Sequence, residues 1–532
     1  MIRNNPIVSI GMGAMIALGV ITATSVAGQG GRRSQAAPDR GMSLVLGRPT
    51  DRSITVSVLA PTALEAFVEY GTVPGQYPEK TALSKGAAGE PLEIGIAPLK
   101  ANTRYYYRLR HHQAGASDFD ASPEQAFMTA RAAGSTFTFG VQGDSHPERD
   151  GRMYEAELYR RTLDLVAKER PDLYVMMGDD FSIERLISQQ TASQAAVDEV
   201  YAEQRSFLGR MSGSTPLFLV NGNHEEAARF LLNGTPDSPA VYAAKARTKF
   251  YPLPAPDTFY SGDTQPVEHI GLLRDYYAWT WGDALFVVID PYWHSSVVVD
   301  APPGGGGGGG KGGGGKGGGG GGGGGGGKKG GGRNAADQPQ ANQGNATRAA
   351  GRNRDMWSVT LGDAQYAWLK KTLETSQARY KFVLGHHVMG TGRGAVEGAD
   401  NYEWGGQDPR GTATFKEKRP TWELPIHQLM EKTGVTIFFQ GHDHLFARQQ
   451  KDGIIYQEVP NPADLTYTAF NREAYRSGDI LPNTGHLLVT VAPDQVRVDY
   501  IRSYLAKDET PDRKHGEVAF SYTVKARAPG GK

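Results

Sequence analysis

The chain has no cysteine among its 532 residues. That excludes disulfides, thiolate metal sites and a lipid-modified cysteine behind an export signal. Charge bias is absent as well. Lysine plus arginine total 57 and aspartate plus glutamate total 57, so the formal net charge is zero. No bulk electrostatic footprint for nucleic acid follows from that balance. Stability must then rest on core burial and on metal, which a chain of this size can manage. Glycine is the over-represented residue, at 70, and much of it lies in one tract over 304–333.

The N-terminus carries Arg3, an apolar stretch over 7–20 and then Ser25-Val26-Ala27. Basic, apolar and small-x-Ala segments in that order are an export signal, with cleavage expected after Ala27 and a periplasmic or extracellular product. The alternative is an uncleaved anchor, since 6–27 is almost long enough to span a bilayer. A stable membrane partner is expected only in that case. Residues 28–40 are polar and read as a linker. The glycine and lysine tract lies in an expected disordered insertion over 301–351, because such a composition cannot bury apolar surface. A tolerated insertion at a loop tip is the plain reading, and a cationic brush toward anionic polymer the functional one.

The length calls for two or three domains. Residues 41–132 read as an all-β module. Ser53-Ile54-Thr55-Val56-Ser57-Val58 and Leu92-Glu93-Ile94-Gly95-Ile96 alternate apolar and polar, the pattern of half-buried strands. From residue 135 to 525 strands and helices alternate instead. Helical spacing covers 152–168, 184–210, 363–373 with Asp363 as N-cap, and 422–432 ending at Gly434. Late alternating segments at 453–459, 486–491 and 496–501 are expected to complete the second sheet of an α/β, two-sheet αββα sandwich.

Five short apolar runs in this region each lead into a glycine and a polar ligand. They end in Gly143-Asp144-Ser145-His146, Gly178-Asp179-Asp180, Gly222-Asn223-His224-Glu225, Gly385-His386-His387 and Gly441-His442-Asp443-His444. An open α/β sheet shows this pattern at its carboxyl edge, where ligands bind. Carboxylate, amide oxygen and imidazole suit Zn, Mn or Fe. An aspartate such as Asp179 can bridge two ions.

These blocks resemble the calcineurin-like metallophosphoesterases, which carry D-x-H, G-D, G-N-H-[DE], a later His and G-H-x-H in that order. The resemblance implies two transition-metal ions. Asp144, His146 and His444 would hold the first, and Asn223, His386 and His442 the second, with Asp179 bridging. It implies His224 as proton donor or charge stabiliser. It implies hydrolysis of a phosphate ester by metal-bound hydroxide. Purple acid phosphatases in this group have a tyrosine where Ser182 stands, so no charge-transfer colour is expected. They also lack the histidine that is His146 here. Other members place at that same position an aspartate that orients the G-N-H histidine, which leaves Asp180 as an open substitute. The segment over 99–108 is similar to a fibronectin type III pattern, with Thr103 and Tyr105 at a corner. Purple acid phosphatases carry a comparable N-terminal sandwich, read here as a rigid spacer or as a substrate-side platform.

Several residues are open to two readings. His387 either lines the pocket or supports a ligand. Tyr276, Tyr277 and Trp279 form either a pocket wall or core. Arg393 follows the fourth block and is a candidate phosphate clamp. His111, His112, His269, His294, His427, His486 and His515 read as surface or satisfied core residues. The expected activity is phosphomonoester hydrolysis. A phosphodiesterase or nucleotidase is the alternative, and a non-catalytic surface-binding protein the more distant one.

Overall fold

The computed structural model describes residues 41–299, 355–389 and 392–526. The stretches expected as export signal, linker and insertion, over 1–27, 28–40 and 301–351, lie outside the described residues. Alternation in the first segment builds antiparallel strands. Ser43–Gly47, Ile54–Leu59 and Leu92–Ile96 form one sheet, with Ile54 opposite Ile96 and Val56 opposite Ile94. Leu64–Gly71 and Arg104–Gln113 centre a second. Val56, Val58, Ile96, Tyr107 and Phe127 bury their side chains in one core between them. The expected corner forms, with Lys100 N–H donating to Tyr105 Oη at 2.9 Å and Thr103 Oγ donating to Ala101 O at 2.8 Å.

A fully buried arginine ties this module to the rest. Arg205, on the helix Gln194–Ser212, donates to Ser43 Oγ, Ser57 Oγ, Ser57 O and Phe250 O. Burial lowers its pKa to about 10, with Tyr251 and Glu93 opposing, so the guanidinium keeps its charge at neutral pH. Tyr107 Oη donates to Gly213 O at 2.6 Å and Ser212 Oγ to Leu44 O at 2.8 Å. These contacts fix the module against the helix Gln194–Ser212.

The remaining strands form two sheets packed face to face. In the first, Leu217–Leu219, Leu173–Met176 and Phe137–Gln142 run parallel, and Gly485–Val491, Gln495–Arg502 and Val518–Lys525 extend it antiparallel. In the second, Ala284–Val288, Tyr380–Leu384, Ile437–Gln440 and Ile454–Glu458 run parallel at the centre. Aromatic rings fill the space between: Phe139 lies 5.0 Å from Phe286, 5.4 Å from Phe382 and 6.0 Å from Phe439 between ring centres. Helices Ala156–Glu169, Gln194–Ser212 and Pro239–Phe250 cover the first sheet. Gly362–Thr375 and Ile426–Lys432 cover the second.

Some expectations are corrected. The late segments do not all join the second sheet. Ile454–Glu458 does, but Gly485–Val491 and Gln495–Arg502 pair beside Phe137–Gln142 in the first. Alternation marks a strand without naming its partner. The helix expected over 184–210 is two, Glu184–Ser188 and Gln194–Ser212. Gln190 is left-handed between them, and Ser193 Oγ caps the second by accepting from Ala196 N at 3.2 Å. Asp363 is not an N-cap. The helix begins at Gly362, and the Asp363 carboxylate accepts from Trp422 Nε1 at 2.7 Å. The helix expected over 422–432 shortens to Ile426–Lys432, with Gly434 left-handed behind it as anticipated. Trp279 is core: it stacks on Phe218 at 4.0 Å and on Phe286 at 4.8 Å.

Candidate metal centre

Each ligand-rich turn leaves the carboxyl end of a parallel strand. Asp144 follows Phe137–Gln142, Asp179 follows Leu173–Met176 and Asn223 follows Leu217–Leu219 in the first sheet. His386 follows Tyr380–Leu384 and His442 follows Ile437–Gln440 in the second. Two glycines let these turns meet. A Cβ on Gly222 would fall 2.3 Å from Asp179 Oδ1, and one on Gly441 would fall 2.5 Å from Asp144 Oδ1. Four of the seven expected ligands, His146, Asp179, His442 and His444, have left-handed backbone, at φ of 50°, 59°, 78° and 57°. Such conformations cost energy and persist where surrounding contacts enforce them. Glu225 supplies part of that enforcement. Its carboxylate accepts four backbone N–H groups, from Asp179 at 3.0 Å, Asp180 at 2.8 Å, Phe181 at 3.1 Å and Gly222 at 2.6 Å.

The side chains converge as two sets. Donor atoms of Asp144, His146 and His444 lie within 4.8 Å of one another, as do those of Asp179, His386 and His442. In the first set His146 Nε2 is 3.0 Å from His444 Nε2, which is 3.0 Å from Asp144 Oδ2. In the second, His386 Nε2 and His442 Nδ1 are each 3.1 Å from Asn223 Oδ1 and 3.3 Å from each other. Asp179 Oδ2 reaches both, at 3.2 Å from His386 Nε2 and 3.6 Å from His146 Nε2. Donors bonded at about 2.0–2.2 Å to one ion are spaced in this range.

The hydrogen bonds behind the rings fix which nitrogens face inward. His386 Nδ1 is 2.8 Å from Met177 O, and His442 Nε2 is 2.7 Å from Gly392 O. A carbonyl only accepts, so those nitrogens carry the protons. His386 Nε2, His442 Nδ1 and Asn223 Oδ1 then aim lone pairs at one point. His146 Nδ1 sits 2.8 Å from Glu148 Oε1, which turns its Nε2 inward too. Burial, with His444 and Arg149 adding to it, holds His146 well below the ordinary imidazole range. Burial and Arg393 do the same to His442. Burial would raise Asp179, but His386 and His224 outweigh it and hold the carboxylate well below its usual range. Burial would lower His386, but Asp179 and Asp144 outweigh it and raise it to about 10. An electron-rich hollow of this kind calls for cations, and its oxygen and nitrogen donors fit a pair of Zn, Mn or Fe ions.

At the mouth stands His224, partly exposed. Its Nε2 is 3.9 Å from Asp179 Oδ2, close enough to group with His146 and Asp179 as a third set, and 3.0 Å from Arg149 Nη2. Its Nδ1 lies 3.1 Å from Glu184 Oε2. Glu184, five residues past Asp179, therefore sits where Asp180 stood as an open substitute. The Asp180 carboxylate is buried and accepts from Gln142 Nε2 at 2.8 Å. Burial pushes it well above the carboxylate range, with Glu225 adding to the effect. His387 lies beside the donors: its ring stacks on His442 at 4.7 Å and its Nδ1 is 2.9 Å from Tyr292 Oη. Arg393 Nη1 donates to His442 O and, at 3.0 Å, to Asp443 Oδ1, so that donor holds the turn in place. His294, His427 and His486 pair with Asp275, Asp452 and Glu169, as expected of satisfied core residues. Sequence reasoning missed Glu184 and Arg149. Each lies a few residues past a recognised ligand, but no periodicity marks either one.

The calcineurin-like phosphoesterase family model matches residues 137–446. Purple acid phosphatase 21 of Arabidopsis thaliana is 27% identical over 167 residues, covering 30% of this chain and 32% of the relative. The match thus spans about a third of that relative's length. The solved structure of PhoD aligns over 93% of this chain and 92% of its own, with a TM-score of 0.56 and 14% identity, a likeness of fold.

Proposed function

The chain belongs to the calcineurin-like phosphoesterase family of metal-dependent phosphoric ester hydrolases, and from that premise we propose that it cleaves phosphomonoesters. The observation that carries the reading is the shared carboxylate Asp179, whose Oδ2 lies within 3.6 Å of a donor from each set. Asp144, His146 and His444 would hold one ion, and Asn223, His386 and His442 the other. A metal pair there would supply an activated water and charge to neutralise non-bridging phosphate oxygens. His224 stands at the solvent-facing side, where its Nε2 can give a proton to the leaving oxygen. Glu184 behind Nδ1 orients the ring for that transfer. The likeness to a relative named as a phosphatase supports the monoester preference. The basic, apolar and small-x-Ala order of the first 27 residues supports export.

The test is a purified, metal-replete protein assayed for metal content and then against matched nitrophenyl mono- and diesters. About two ions per chain and a higher kcat/KM on the monoester are expected. Less than one ion per chain would remove the site assignment, and preference for the diester would remove the substrate assignment.

A further inference from the structure

We propose that Arg149 receives the terminal phosphoryl oxygens at the mouth of the metal centre and so favours dianionic monoesters over monoanionic diesters. The inference rests on the phosphomonoester reading above and adds the residue that would enforce it.

Arg149 ends the short turn Pro147–Arg149, which starts directly after the ligand His146. Its guanidinium is therefore delivered by the same turn that positions a metal donor. Nη2 is 3.0 Å from His224 Nε2, and that nitrogen is 3.9 Å from the shared Asp179 Oδ2. A phosphoryl oxygen near His224 Nε2 enters the donor range of Arg149.

The partners of Arg149 leave it available. Nε is 3.3 Å from Glu148 Oε1, a long contact, and that oxygen also accepts from His146 Nδ1 at 2.8 Å. Nη1 meets Met153 Sδ at 3.7 Å, and a thioether is a weak acceptor. Nη2 faces the His224 ring nitrogen that would give up the proton, and a protonated nitrogen accepts nothing from it. A phosphoryl oxygen is a stronger acceptor than the thioether, and the planar guanidinium can take two such oxygens side by side. Arg393, the other arginine at this site, already gives Nη1 to His442 O and Asp443 Oδ1. Glu148 tethers Arg149 beside the metal donors through Nε, without engaging its terminal donors.

A monoester dianion presents a second negative charge that a diester lacks. That charge is what a cation beside the metal pair would read.

The experiment compares metal-loaded full-length wild type, Arg149→Ala and Arg149→Lys on 4-nitrophenyl phosphate and bis(4-nitrophenyl) phosphate, with inorganic phosphate as competitive inhibitor. Arg149→Ala should lower kcat/KM on the monoester by roughly 10–100-fold, the loss typical of a charged hydrogen-bond donor. The diester should lose far less. The phosphate inhibition constant should rise in step with the monoester loss, Lys should recover part of it, and metal content should be unchanged. Equal losses on both esters, unchanged phosphate inhibition, or loss of metal from Arg149→Ala would each overturn the inference. If wild type hydrolyses neither ester, the functional reading fails on its own. Calorimetric binding of inorganic phosphate to metal-loaded wild type and Arg149→Ala then decides the role of Arg149, equal affinity counting against it.

Discussion

Glu184 Oε2 lies 3.1 Å from His224 Nδ1, so a carboxylate five residues past the shared aspartate supports the histidine at the mouth of the metal centre. The helix Glu184–Ser188 begins on that glutamate, which fixes where its side chain starts. Glu184→Ala should lower kcat by about 10–100-fold with metal content retained, a smaller loss than removing the acid itself. In the double variant with His224→Ala the two losses should not add, since the carboxylate acts through the ring. Additive losses in that cycle would separate Glu184 from His224.

His224→Ala should lower kcat by roughly 10²–10⁴-fold with both ions in place. The defect should shrink for nitrophenolate, which needs little protonation to leave. Rates plotted against leaving-group pKa for wild type and variant check this. A constant defect across leaving groups would make His224 a charge stabiliser, and loss of metal would make it a ligand.

Gly222→Ala should strip the centre of metal. The added Cβ would stand 2.3 Å from Asp179 Oδ1, and the shared carboxylate would have to move. Elemental analysis and circular dichroism together read the outcome: metal lost, fold kept. Asp179→Asn should behave alike. Full metal occupancy in Gly222→Ala would show that the two turns are not interlocked.

Glu225→Ala should destabilise the fold as well as the site. The carboxylate accepts four buried backbone N–H groups, and each buried donor left without a partner costs about 1–3 kcal/mol. Water entering the space offsets part of this, so a loss of about 3 kcal/mol or more is expected by chemical denaturation. A loss below about 1 kcal/mol would mean that the turn finds other acceptors.

Arg205→Ala should cost about 2–4 kcal/mol, because it leaves the acceptors on Ser43, Ser57 and Phe250 unpaired in a buried seam. Activity per folded molecule should be unchanged, since the partners of Arg205 on Ser43, Ser57 and Phe250 lie outside the ligand turns. Denaturant titration with an activity assay below the transition checks both parts.

The metal centre was the most legible part of the sequence. A short apolar run followed by glycine and a ligand is a local signal, and five such signals meet where the carboxyl ends of the two sheets face each other. The first module was nearly as legible, because Val56, Val58, Ile94 and Ile96 alternate without interruption. What remained hidden depends on partners far along the chain. Gly485–Val491 alternates equally well for either sheet, and only its packing beside Phe139 decides. Glu184 and Arg149 look like ordinary charged surface residues until the fold sets each against one side of His224. The inward turn of Asp180 follows from Gln142, 38 residues earlier.

The donors come from both halves of the sandwich: Asp144, His146, Asp179 and Asn223 from turns of the first sheet, His386, His442 and His444 from turns of the second. An ion pair held this way works as a clasp across the open rim. Its affinity adds to the free energy of unfolding, by about 4 kcal/mol for one site when free metal stands 1,000-fold above its dissociation constant. The same linkage runs backwards. Chelation should loosen the rim before the aromatic layer beneath it, so hydrogen exchange in the five ligand turns would report metal loss well before the melting temperature does.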